Sequence, residues 1–414
     1  MADSGLSEAV WMTWKAFTKA IRGKEIIFFG VSEWARKTLR RVPISSFYFV
    51  DNSPSWIGTR QLDAEVKDPL VLKEKKPNRF VVIMSGSYES IYPQLLEYGL
   101  KPGVDFCISP IMNNLKVITD IHSHEARLLV SSPDHMIYSG LDKNHKTGGG
   151  LFTYDIKTLD CRKVLEGTFH QIVEAEDRFY VADEVRGICE VSKDFKLLGS
   201  FGAEAGAKPH GVAYCPMRKL VFMAATGRDK IIVYDAKTRK IKSEILFTKK
   251  FERTGEPGHW INDVFANGDY LYASMFSHSG AYLQGSYDGG IVEIHMDDPS
   301  ERHVLTRDNW MPHSVIFFDS EMCFADSMNG HLYKTDKNVI GEFFGFIRGI
   351  AFDGSYYYVG QSETRYFDRL KGIRKNIGMN AGFYLFDEET KAAKFFSMPQ
   401  VHQVRDLHVL AKSR

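Results

Sequence analysis

The chain has 414 residues, 44% hydrophobic and 25% charged, with a formal net charge of +1. This composition excludes a mainly disordered chain, a collagen-like fibre and a coiled coil, and near-neutrality leaves no global field to draw the protein onto nucleic acid or an anionic membrane. Aromatic residues at 13% beside 34 glycines fit short strands joined by tight turns.

In chain order, Trp11, Trp14, Phe17 and Ile21 recur at helical spacing, which predicts an amphipathic opening helix docked on the adjoining domain. The opening stretch carries Asp3 and Glu8 and does not read as a signal peptide. No apolar run approaches the ~18 residues that span a bilayer. Cys107, Cys161, Cys189, Cys215 and Cys323 are odd in number, scattered and without a CxxC pair. Reduced, mostly buried thiols in a cytoplasmic protein are expected.

Residues 24–110 alternate apolar runs with helical patterns. Strands are predicted over 25–30, 47–51 and 80–85, with helices over 33–41 and 87–98, a rhythm that implies a parallel sheet with crossover helices. The turn after the first strand is Gly30-Val31-Ser32-Glu33, and Asp51 ends the second strand where a dinucleotide fold places its ribose-binding acid. Ser32 and Ala35 replace the second and third glycines of that fingerprint, which argues against ordinary NAD binding. The runs IIFFGVSE, FVDNSPSWIG and FVVIMSGSY resemble, in that order, the small Rossmann-like domain that opens sugar O- and N-acyltransferases of bacterial glycan pathways. That resemblance implies a nucleotide-sugar held by Gly30, Ser32, Asp51 and Asn52. The alternative is a degenerate domain used for packing or homodimer formation. The predicted domain covers residues 1–115.

From about residue 126 the helical signal disappears and a unit recurs at a period typical of propeller blades. Its first strand opens with a polar residue, a polar or small residue and an aliphatic one: His170-Gln171-Ile172, His210-Gly211-Val212, Asn262-Asp263-Val264, His313-Ser314-Val315 and Arg348-Gly349-Ile350. Second strands come next (RFYVADE, KLVFMAA, YLYASMF, EMCFADS, SYYYVGQ). Six third strands, most starting at glycine, count six blades. Arg127-Leu128-Leu129 and Arg405-Asp406-Leu407 both fit the missing first strand, and the choice stays open. The fold class is therefore α/β plus all-β: a Rossmann-like parallel-sheet domain, then a six-bladed β-propeller over residues 116–414. The segments PHGVAY and MPHSVIF are similar to the repeat of NHL and gluconolactonase/regucalcin-type propellers, an architecture that hosts lactonases, lyases and pure binding proteins.

In a propeller, first strands line the central channel and the loops between second and third strands return to the same face. The expected ring is His170, His210, Asn262, His313 and Arg348, completed by Arg127 or Arg405. Asp183, Glu184, Asp229, His278, Asp326, Gln361 and Arg365 are expected on the returning loops. His170, His210 and His313, with Asp263 as a fourth ligand, can converge on a divalent transition metal such as Zn, Mn, Fe or Ni. Arg348 and Arg405 offer planar forks for a carboxylate or phosphate, and His278 or Asp326 is placed as general base. The insertion 367–380, with Tyr366 and Arg374, and a second at 277–290 are expected to overhang this mouth. The functional expectation is a metal-assisted lyase, epimerase or hydrolase acting on a small anionic, sugar-derived or nucleotide-linked substrate. A ligand-binding propeller without turnover and an interaction scaffold are the alternatives. Neither nucleic acid nor a membrane is an expected partner.

Overall fold

In a computed structural model, residues 6–74, 76–133, 148–318, 320–335, 338–364, 366–370 and 376–412 are described. The chain divides into two compact units, Met1–His122 and Ser123–Arg414. Among the described residues no helix is long and apolar enough to cross a membrane.

The first unit holds helices α1 (Trp14–Ala20), α2 (Glu33–Arg41), α3 (Tyr88–Glu97) and α4 (Asn113–Ser123) around strands β1 (Glu25–Phe29), β2 (Phe47–Val50), β3 (Arg60–Gln61), β4 (Ala64–Lys67), β5 (Arg79–Ile83) and β6 (Phe106–Ile108). The sheet runs β3-β4-β2-β1-β5-β6. It is parallel except for the antiparallel β3–β4 edge. In β1 everything after Glu25 is buried, because both faces are covered. Alternation sends Ile27 and Phe29 into a core with Tyr88, Ile91 and Leu95 of α3, and Ile26 and Phe28 into a core with Phe17 of α1 and Ala35 of α2. The opening helix docks through Phe17 and Ile21, with the Thr13 hydroxyl capping its N-terminus by accepting from Ala16 N–H at 3.2 Å.

The second unit is a six-bladed β-propeller. Six four-stranded antiparallel sheets succeed one another. Their inner strands, Asp406–Lys412, Phe169–Glu174, Pro209–Cys215, Ile261–Asn267, Pro312–Phe318 and Phe346–Phe352, each touch the next and close a ring. One such sheet cannot cover both of its faces; radial stacking covers them all. The first blade takes its inner strand from the C-terminus and its next three, Ala126–Ser132, Gly150–Asp155 and Asp160–Glu166, from the start of the unit. That settles the open choice: Arg405 leads into an inner strand, whereas Arg127 lies on a second strand with its side chain exposed.

The repeated motif has a physical cause. Pairing of inner and second strands slips between Phe169 and Ile172, Pro209 and Gly211, Ile261 and Val264, His313 and Ile316, and Ile347 and Ile350. These bulges re-aim side chains and release backbone N–H groups from the ladder. The second motif residue then latches neighbouring blades. Asp406 accepts from Ile172 N–H (2.8 Å), Gln171 from Val212 N–H (3.0 Å) and Val264 N–H (3.1 Å), Asp263 from Ser314 N–H (2.7 Å), and the Ser314 hydroxyl from Gly349 N–H (2.7 Å). Where that residue is glycine, backbone replaces side chain: a Cβ at Gly211 would sit 2.5 Å from the Asn262 carbonyl oxygen. Gly211→Ala is expected to lower stability by about 1–3 kcal/mol through overpacking against backbone that cannot yield. Urea unfolding checks it, with Gly285→Ala, which meets no neighbour within 4 Å but sits at φ +83°, reporting the backbone-strain cost alone.

Candidate functional site in the axial cavity

His170, His210, Asn262, His313, Arg348 and Arg405 all line one cavity of about 80 Å³. All six sit at the first motif position, immediately before or within an inner strand. Five are at most 5% exposed, and His210 is slightly more open. Trp260, Phe276, Tyr282, Phe346 and Tyr366 supply aromatic wall, and Glu184 and Gln403 further polar groups.

On one side of the cavity, two imidazoles and a carboxylate meet. The rings of His170 and His210 stack at 4.2 Å with a 19° tilt. Their Nε2 atoms lie 3.1 and 3.5 Å from Glu184 Oε1. Among the described residues this trio is the group whose ligand atoms fall within 4.8 Å of one another. Burial, ahead of any neighbour, holds both imidazoles below the ordinary histidine range, and the charge on Arg405 adds to it. They are neutral at pH 7 with lone pairs available, as metal ligands must be. Nδ1 of each ring is buried without a partner among the described residues, leaving it for water or a bound molecule.

His313 has a different task. Its Nδ1 faces the Met311 carbonyl at 2.9 Å and the Ser327 hydroxyl at 2.7 Å. A carbonyl only accepts, so Nδ1 carries the proton and Nε2 accepts from the Asn262 amide at 3.2 Å. The Asn262 oxygen in turn accepts from Arg405 Nη2 (2.5 Å), which also pairs with Asp263 Oδ1 (2.6 Å). His313 is thus one end of a chain that aims Arg405, and the structure does not bring it to the trio of His170, Glu184 and His210. Arg405 is 1% exposed, yet its Nη1 has no partner among the described residues. Arg348 is tied to Ser362 Oγ (2.6 Å) and Gln403 Oε1 (2.9 Å).

Other expected site residues lie elsewhere, for identifiable reasons. Asp263 occupies the latch position, its oxygens spent on Arg405 and Ser314, so it is not a fourth ligand. Asp326 does not line the cavity. It accepts from Trp310 N–H (3.0 Å) and the Asn329 amide (2.9 Å), and burial raises its carboxyl to about 6. Asp183 and Asp229 clamp the loops entering inner strands in the same way, on Thr168 N–H and on Gly258–Trp260 N–H groups. Gln361 holds the Asn380 carbonyl. His278 sits in the 277–290 insertion, off the cavity wall, so neither expected general base reaches it. The insertions do reach it, through Tyr282 and Tyr366; Arg365 and Arg374 lie outside the described residues.

In the first unit, Asp51 caps its own loop, accepting from Val31 N–H (2.9 Å) and Ser53 N–H (2.8 Å). Ser32 donates to the Met84 carbonyl at 2.5 Å, Asn52 pairs with Gln94, and a Cβ at Gly30 would meet Ser85 Cβ at 3.0 Å. All four expected nucleotide-sugar residues hold their own unit together. Trp260, Phe346 and Gln403 each lie two residues before a ring member, a spacing that the first-strand motif alone does not bring out.

The buried histidines set a pH dependence. Their folded pKa values lie below the unfolded one, so the unfolded chain binds more protons as pH falls below about 6.5. Asp406, pushed up to about 7 by burial and then by Asp263, and Asp326, raised to about 6 by burial, act with the opposite sign. With His170, His210 and His313 against these two carboxyls, metal-free protein is expected to lose stability on acidification from pH 7 to 5.5. Each uncompensated histidine contributes at most about 1.4 kcal/mol per pH unit. His313→Gln should flatten the profile in urea titrations at stepped pH.

No protein-family model matches the chain, and no curated protein matches it. Among solved structures, a chain of the nidogen/laminin complex is similar at 13% identity and a TM-score of 0.49, over 69% of this chain and 98% of that one. A protein of unknown function from Bacteroides caccae is similar at 13% identity and a TM-score of 0.47, again over 69% and 98%.

Proposed function

We propose that the axial cavity is the active site of a metal-dependent enzyme of the lyase, epimerase or hydrolase kind, acting on a small anionic molecule. One observation carries this reading: His170, Glu184 and His210 converge within 4.8 Å on a cavity that also holds the buried guanidinium groups of Arg348 and Arg405. Two neutral imidazoles and one carboxylate suit Zn, Mn, Fe or Ni and leave coordination positions open. A divalent ion there would polarise a carbonyl or carboxylate oxygen, or lower the pKa of a bound water. The arginines fix the anionic end of the substrate, and the aromatic wall excludes water from the reacting carbon.

The test uses full-length protein loaded with Mn or Zn and incubated in deuterated water with small hydroxy acids and uronic acids. Proton NMR monitors exchange or loss of the hydrogen beside the carboxylate, or hydrolysis. Turnover that stops on chelation and returns with metal is expected. Metal binding and ligand binding without turnover would establish the non-catalytic binder instead, and a protein that holds no metal would overturn the reading.

A further inference from the structure

We infer that the ligand of this site is a compact 2-hydroxy or 2-oxo carboxylate of three or four carbons, chelating the metal through adjacent oxygens while its carboxylate takes a hydrogen bond from Arg405 Nη1. The inference rests on the metal site proposed above.

Size is the first argument. At roughly 10–15 Å³ for each water-sized centre, a cavity of about 80 Å³ encloses about five to eight non-hydrogen atoms. A three-carbon hydroxy acid has that many, whereas a hexuronic acid would leave much of its ring outside. Charge is the second. Glu184 and Asp263 bring two negative charges and Arg348 and Arg405 two positive ones, so a divalent ion leaves an excess of two positive charges that a small mono- or dianion relieves. A neutral ligand would leave that excess desolvated, which is costly.

Arg405 is the third argument and the most specific. Its Nη2 is committed to Asn262 and Asp263, and this locks the plane of the guanidinium. Nη1 remains a charged donor, buried and unpaired among the described residues. A buried charged donor without an acceptor is costly, so Nη1 calls for an acceptor beside it, water in the free protein and an anion's oxygen in the complex. The metal-ligand trio lines the same cavity, and an imidazole–carboxylate trio that leaves adjacent positions open accepts two oxygens of one ligand. A carboxylate with an oxygen on the next carbon meets both demands at once: two oxygens for the metal, one for Arg405.

The test uses the full chain loaded with Co(II), whose visible bands report coordination. Oxalate serves as the chelating probe and propionate as the probe lacking the adjacent oxygen. Oxalate is expected to shift the bands and bind at least 10-fold tighter than propionate. Arg405→Lys keeps the charge beside Asp263 but deletes the free Nη1 donor. It is expected to retain Co(II) and lose at least 10-fold in oxalate affinity. Equal affinity for the two probes, or unchanged oxalate affinity in Arg405→Lys, overturns this inference while leaving the metal site standing. Absence of Co(II) bands in the unsubstituted protein is the separate outcome that removes the metal site itself. Should Arg405→Lys fold poorly, the probe comparison on the unsubstituted protein still decides.

Discussion

Glu184→Ala is expected to abolish stoichiometric metal binding, while His313→Ala leaves it in place. Removing Glu184 deletes the one anionic ligand and leaves two stacked neutral imidazoles. Those rings lie 4.2 Å apart and gain nothing electrostatically from a cation that the carboxylate would otherwise neutralise. Affinity should fall by more than about 100-fold, since even partners one step removed from a metal cost 10–100-fold when mutated. His313 is spent differently: Nδ1 donates to Met311 and Nε2 accepts from Asn262. Its loss should loosen Asn262 and Arg405, weakening anion affinity without releasing the ion. Elemental analysis after dialysis, with calorimetric Zn titration of the apoprotein, separates the two. Metal lost equally in both variants would place His313 among the ligands after all.

The contrast between these two histidines shows what the sequence could and could not convey. His170 and His313 occupy the same motif position, and the loops facing them read Ala182-Asp183-Glu184 and Ala325-Asp326-Ser327. The aspartate of each loop performs the same clamp on backbone N–H groups, and the next residue decides the chemistry. Glutamate gives blade two a carboxylate against its imidazole, and serine gives blade five a hydroxyl partner. The ring was legible because six blades repeat one pattern. The division of labour within each pair, cavity residue first and latch second, was not. A bulge places two adjacent residues on terms that plain alternation does not describe, which is why Asp263 read as a ligand. Of the residues expected on the returning loops, Glu184 lines the cavity, and an aspartate on such a loop reads the same whether it clamps backbone or faces substrate. In the first unit, long periodic segments such as α2 and α3 were legible. The four-residue β4 and three-residue β6 are too short to carry a period.

Arg405→Met is expected to destabilise the propeller by about 3–5 kcal/mol, because it strands the Asp263 carboxylate in the interior without a counter-charge. Both side chains of the pair are 1% exposed, so water cannot take over. Asp263 cannot simply swing away, since its other oxygen is the latch that accepts Ser314 N–H between blades four and five. The loss should be coupled rather than additive. In the double variant Arg405→Met with Asp263→Asn, the amide oxygen can keep the Ser314 latch while no unpaired charge remains, so more than half of the lost stability should return. Urea unfolding of metal-free protein measures this cycle without interference from ligand binding. The single variant and the double variant being equally unstable would mean that Arg405 matters for its packing alone. Recovery in the double variant, in a protein that no longer binds oxalate, would mean that the buried arginine is tolerated by the fold and required by the ligand. The Asn262–Arg405–Asp263 chain would then be a device for aiming one donor, Nη1, with Asp263 offsetting its charge so that it can stay buried while it waits for an anion.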